Sequence, residues 1–245
     1  MARRYGPTVT SDDAGQPYDT DLMAAVSELG SALRELVDAS VRTTVPAAEL
    51  RAAAAEARAA TTRLAAQRRP PTQLPSLDDP LVFRRVHNPV SGVGSALAPP
   101  VRIRRVEGGV VGEALLGPAY EGPPGYVHGG ISSLLMDQLL GSAAIAAGLW
   151  GMTVRLELDY RRPVPLSTPL TLRAQVTEAA GRKCVVTGTV ATAAAPDQTL
   201  VEARGVFVMP RQELHADYFG AITDASGRHR PPGRPTDATA LADRP

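Results

Sequence analysis

The sequence predicts an α+β domain in which a curved antiparallel sheet packs on one long apolar helix, with a helical hairpin in front of it. Three observations carry this. Between residues 101 and 210, short runs alternate apolar and polar side chains with period two; one apolar stretch among them is too long for a strand; and residues 20–69 repeat apolar groups at helical spacing. The links between the later strands are short enough for antiparallel neighbours, which is why the class is α+β rather than a parallel α/β sheet.

In chain order, residues 1–18 are rich in Pro, Gly, Asp and Thr and cannot offset their ordering entropy by burial, so they read as a flexible tail. Leu22, Val26, Leu29, Leu33 and Leu36 then recur at alternating steps of four and three along one helical stripe. Leu50, Ala54, Ala57, Thr61 and Leu64 repeat that spacing after a β-branched linker at 41–45, with Pro46 suited to a first turn and Pro70–Pro71 as a stop. Residues 19–69 are therefore expected to form a helical hairpin whose alanine-rich second helix buries little, packed on the main domain or, as the alternative, serving as a partner-binding arm. Seven prolines and two glycines make 70–100 an irregular connector wrapping the core, in which His87 and Asn88 read as surface or capping groups. Strands at 101–106 and 110–116 flank Gly108 and Gly109, a hairpin signal. After the helix, Val154, Leu156, Leu158 and Tyr160 are expected on one face of a strand, with Arg155, Glu157, Asp159 and Arg161 on the wet one. Strands near 170–176, 184–192 and 199–209 complete the domain, and 211–245 reads as a second, mostly flexible tail.

The chain has 245 residues, 26 basic and 25 acidic side chains and a net charge of +1, so no overall field recommends nucleic acid or an anionic membrane as partner. The single cysteine, Cys184, makes neither an intramolecular disulfide nor a metal cluster, and residues 1–18 lack a signal-like apolar run; a cytoplasmic location fits. The stretch from His128 to Arg155 is long enough to span a bilayer, but five glycines, three serines and Asp137 dilute it, and a helix enclosed by its own protein is expected instead.

Within 120–137 two features point to chemistry. Gly129 and Gly130 open the apolar helix, so amides of its first turn are uncovered by side chains and could donate to an oxygen developing negative charge. Asp137 is the sole charge in that helix, where ionisation is unfavourable unless a function or a partner compensates; a loop cap or a basic strand residue would be the structural alternative. Seven residues separate Gly130 from Asp137, about 10 Å along the axis, so one reacting carbonyl cannot touch both from the same helix. A second subunit would have to supply one of them across a two-fold axis.

These residues carry a resemblance. The glycine-rich loop, His128-Gly129-Gly130, an apolar helix with Asp nine residues beyond the His, and antiparallel strands after it resemble the hotdog-fold acyl-CoA thioesterases of the PaaI type. The form Glu121-Gly-Pro-Pro-Gly-Tyr-Val-His-Gly-Gly130 is closest to the branch of thioesterase superfamily members four and five. The resemblance covers about 95–210. It implies a hotdog fold, a sheet wrapped around the central helix, over 101–210, and a thioester hydrolase needing no metal or other cofactor. By the same resemblance Asp137 is the catalytic carboxylate, Gly129 and Gly130 polarise the carbonyl, His128 shapes their loop or touches substrate, and Thr153 orients the water. Gly122 stands where some relatives carry Asn or Gln, leaving backbone donors to serve here. The implied substrate is an acyl-CoA or acyl carrier protein thioester, and the implied assembly a homodimer or dimer of dimers with interfacial sites. Arg155, Arg161 and Arg162 could form a basic rim for the carrier's phosphates or be solvated strand charges; Tyr126 and Trp150 could line an acyl tunnel or pack the core. A hotdog hydratase using His128, or a non-catalytic acyl-CoA-binding module, remains an alternative on the residues alone.

Overall fold

The computed structural model describes residues 18–70, 73–79 and 82–211. The expected tails, 1–18 and 211–245, lie outside the described residues but for Tyr18 and Arg211.

Helix α1 (Thr20–Arg42) is capped by Asp19, whose Oδ1 accepts the Leu22 amide at 2.9 Å. A four-residue link leads to α2 (Ala47–Ala65). Only α1 docks firmly. Gly30 approaches Val93 so closely that a Cβ there would stand 2.1 Å from its carbonyl oxygen, and Arg34 Nη1 donates to the carbonyls of Val93 (2.8 Å) and Ser95 (2.9 Å). The docked face therefore runs through Gly30 and Arg34, while Leu22, Leu29 and Leu36 of the predicted stripe are more than 40 % exposed. No residue of α2 is buried, because its small alanines offer too little apolar area to hold it down. Both expected helices form, and the alanine-rich second one buries little, as its composition implies.

The described part of the connector buries Leu77, Val86, Val90 and Ala98. It leads into β1 (Arg102–Val106) and β2 (Gly109–Leu115), whose two-residue turn is Glu107-Gly108, with Gly108 at φ +79°. A short 3-10 turn (Pro118–Tyr120) and the glycine-rich loop precede α3 (Gly129–Ala146), followed by β3 (Met152–Tyr160), β4 (Pro169–Ala180), β5 (Lys183–Thr192) and β6 (Val201–Val208). The six strands form one antiparallel sheet in the order β1-β2-β4-β5-β6-β3.

Helix α3 packs against strands across the whole sheet and buries Leu135, Met136, Leu139, Leu140, Ala143 and Ala144. This is the hotdog arrangement. Strand glycines let the helix settle: a Cβ on Gly188 would stand 2.7 Å from Met136 Cε, and one on Gly205 3.0 Å from Leu140 Cδ1. Among the described residues no helix is long and apolar enough to cross a membrane.

One strand departs from the expected alternation. Thr153 pairs with Phe207 and Arg155 with Val206, so Val154 is an unpaired bulge, 62 % exposed, rather than a core-facing residue. Opposed residues share a face, and buried Phe207 faces α3; the bulge therefore turns Thr153 toward the helix while Leu156 and Leu158 keep theirs.

Candidate active site

The site is built on the N-terminus and the middle of α3. At the N-terminus His128 is the cap, with extended backbone (φ −61°, ψ 135°), and its Nδ1 accepts the Gly130 amide at 3.0 Å. The His128 carbonyl takes the amides of Ile131 (2.9 Å) and Ser132 (3.3 Å). Gly129 N–H, by contrast, meets no acceptor among the described residues. The two glycines thus have different duties: the Gly130 proton is held by the imidazole, and the Gly129 proton is available. Tyr160, at the far end of β3, donates its hydroxyl to the Gly129 carbonyl at 2.8 Å, and Ser133 Oγ lies 2.9 Å from the same hydroxyl. Sequence reasoning placed Tyr160 only as a face-forming strand residue, since nothing in its alternation signals a bond to a helix start.

Two turns further along, Asp137 is half-buried rather than fully enclosed, and Thr153 Oγ1 donates to its Oδ1 at 2.8 Å. Among the described residues no basic group lies within ion-pair distance of it, so the structural alternative of a paired strand cation does not apply. Asp137 and Thr153 share the wall of a cavity of about 460 Å³ whose other sides include Phe83, Ile145, Trp150 and Phe207. A polar margin comes from Asn88 Nδ2, which donates to Gln138 Oε1 at 2.7 Å, and from buried Ser142, whose hydroxyl donates to the Gln138 carbonyl at 2.8 Å. Asn88, expected to be a surface or capping group, also caps its own loop through Oδ1, accepting the Val90 (2.8 Å) and Ser91 (3.0 Å) amides. Phe83, Arg85, Asn88 and Gln138 were not anticipated at the site, because the connector's irregular backbone carries no periodic signal.

The expected basic rim does not line this cavity. Arg155 pairs with Glu157 at 2.5 Å, Arg161 with Glu202 at 2.8 Å and Asp159 at 3.5 Å, and Arg162 Nη1 donates to the Thr199 carbonyl at 3.2 Å. Hydrogen bonding and charge from Glu202, then the charge of Asp159, push the Arg161 pKa up. Tyr126 sits in the glycine-rich loop, 42 % exposed and away from the cavity, whereas Trp150 is buried on its wall. Among the described residues no group of three or more His, Cys, Asp or Glu could hold a metal ion. Eight residues separate Gly129 from Asp137, about 12 Å at 1.5 Å per residue, so within one protomer the available amide and the carboxylate stand apart.

Comparison with known proteins identifies a family. The thioesterase superfamily profile matches residues 124–194, from the glycine-rich loop to the end of β5. Acyl-coenzyme A thioesterase THEM4 of Mus musculus is 34 % identical over 89 residues, 36 % of this chain and 37 % of the relative. That of Xenopus laevis is 37 % identical over 67 residues, 27 % and 30 % of the two chains. The matched part thus spans about a third of the length of these curated relatives. A crystal structure of a thioesterase superfamily protein is 39 % identical, superposes with a TM-score of 0.66, and is matched over 94 % of its own length and 75 % of this chain. A likeness that runs through nearly all of that protein makes this chain a hotdog-fold member of the thioesterase superfamily.

Proposed function

We propose that the chain hydrolyses acyl-CoA thioesters to the free acid and the thiol. The observation that carries this is the state of Asp137: a carboxylate on the wall of a cavity lined by both apolar and polar groups, unpaired by any described cation and oriented by the Thr153 hydroxyl at 2.8 Å. With Oδ1 occupied, Oδ2 is the base for a water molecule. That water attacks the thioester carbonyl and passes its proton to Asp137; the oxyanion is held by the Gly129 amide; collapse breaks the carbon–sulfur bond, and the leaving thiolate takes up the proton. His128 serves by positioning: it caps Gly130 and aims the first turn, a role unlike that of a hydratase histidine.

The amide and the acid belong to different protomers in this reading. Strand β3 ends the sheet, its outer edge has no partner among the described strands, and Met152, Val154 and Tyr160 are 47, 62 and 53 % exposed. A second copy adding antiparallel to β3 would set the two α3 helices antiparallel and bring Gly129 of one opposite Asp137 of the other. Arg161, Arg162 and Tyr126, near the Gly129 end, would then border the composite cleft, and Arg155 its rim. The buried lone thiol of Cys184 fits a reducing compartment such as the cytoplasm.

The test is release of free thiol from a panel of acyl-CoAs. Asp137→Asn keeps a hydrogen-bond acceptor for Thr153 but no base, and should lower kcat by about 10²–10⁴-fold. Turnover within a few-fold of wild type would remove Asp137 from the mechanism.

A further inference from the structure

The connector carries a second device into the cavity. Asp78 and Asp79 are buried acids, 6 and 2 % exposed, in a segment with no regular structure. Asp78 Oδ1 accepts the Val86 amide and its Oδ2 the Arg85 Nε, both at 2.8 Å. Asp79 exchanges backbone hydrogen bonds with Arg84 (2.6 and 2.9 Å) and lies 3.6 Å from its guanidinium, while Arg84 Nε donates to the Leu77 carbonyl at 2.7 Å. Between them Phe83 is held at φ +56°, a conformation an L side chain adopts only when its surroundings impose it. Phe83 and Arg85, flanked by these contacts, line the cavity.

Arg85 and Asp137 are the charged residues among the described lining of that cavity. Arg85 uses Nε to bind Asp78, and its two Nη groups meet no acceptor among the described residues. Arg85 is 43 % exposed, so its fork is open to solvent as well as to the cavity, and a guanidinium anchored at its neck by a buried carboxylate is oriented to take an anion there. Two anions of the substrate could meet it, the carrier's phosphates or a charged acyl end. The pantetheine arm is built like about four extended residues, roughly 14 Å from sulfur to diphosphate. The cavity, about 460 Å³ and open to solvent on one side, has room for a short acyl group but not for the whole carrier. With the thioester at Asp137, a short acyl chain running into the cavity would pack its methylenes against Phe83, Trp150 and Phe207 and turn its far end to Arg85.

We propose that Arg85 anchors a terminal carboxylate on the acyl group, so that the preferred substrate is a short dicarboxylic monothioester. The proposal rests on the placement of the reacting carbonyl at Asp137. Its test compares glutaryl with pentanoyl thioesters, equal in carbon number, each on CoA and on N-acetylcysteamine, which has no phosphates. Wild type should give a higher kcat/KM for the carboxylated acyl group on both carriers. Arg85→Gln should lower that glutaryl-to-pentanoyl ratio by about 10- to 100-fold, mainly through KM, and Arg85→Lys by less. Because each ratio is taken on one preparation, loss of folded enzyme cancels. A wild type without preference, or an Arg85→Gln defect seen equally with both CoA esters and with neither N-acetylcysteamine ester, overturns the proposal, the latter by assigning Arg85 to the phosphates. Asp137→Asn, run alongside, separates the two levels. If it abolishes thiol release while the ratio stays put, only the Arg85 assignment falls; if it leaves release intact, the underlying hydrolase reading falls.

Discussion

A bulge of one residue decides what Thr153 can do. In regular alternation Thr153 would point away from α3 and Val154 toward it; the skipped pairing at Val154 reverses that and delivers the hydroxyl to Asp137. The resemblance named Thr153, but no pattern of residue types foretold the bulge, because Met-Thr-Val-Arg-Leu alternates acceptably in either phase near its start. Asp137 and the glycine pair were legible for the opposite reason: one charge in an apolar helix, and glycines at its start, are anomalies that need no coordinates. Cys184 shows how burial alone sets reactivity. It is 3 % exposed, and burial pushes its thiol pKa up from 9.0. The unfolded thiol therefore ionises first, so this residue's contribution to stability is complete below pH 9.0 and is lost as pH rises through the raised native value. Alkylation of the native protein by iodoacetamide at pH 8 should proceed far more slowly than in urea, and Cys184→Ala should soften the alkaline loss of stability. Equal labelling rates in both states would contradict the assignment.

The packing of α3 on the sheet is a matter of matched absences. Strand positions facing the helix hold Gly112, Gly188 and Gly205 where a β-branched residue would suit a strand better, and Leu139, Met136 and Leu140 fill the space that those glycines leave. Gly188 is the tightest of the helix-facing three: an added Cβ would stand 2.7 Å from both Met136 Cε and the Arg173 carbonyl oxygen. Met136 can bend away, but the backbone oxygen cannot without disturbing the β4–β5 register. Gly188→Ala should therefore destabilise by about 1–3 kcal/mol, read as a lower urea midpoint with an unchanged slope. A midpoint equal to wild type would mean the strands separate freely at this point. Strands and helices were readable from period alone, whereas the connector's role was not: Asp78, Asp79, Arg84 and Arg85 form their staple between residues with no periodic relation, and the result shows only in three dimensions.

At the scale of the assembly, the question is whether one site takes residues from two chains. The axial rise separates Gly129 from Asp137 by about 12 Å on one helix, and the unpartnered edge of β3 offers the surface by which a second copy would close that gap. Gly129→Pro is a clean lesion for one half. It removes the amide proton, proline suits the first helical position, and His128 already has the extended backbone that a following proline requires. A Cβ at Gly129 would meet Tyr160 Oη at an ordinary 3.5 Å. Asp137→Ala disables the other half. Each variant alone should be nearly inactive. In a mixed dimer of the two, one cleft holds both lesions and the other holds neither, so subunits recombined at random should recover about a quarter of wild-type thiol release. Sites confined to single protomers predict no recovery at any ratio. Recombination through mild denaturant, followed by separation of differently tagged heterodimers, makes the measurement direct: the purified heterodimer should show about half the wild-type activity, and an inactive heterodimer would place the amide and the acid in separate reactions.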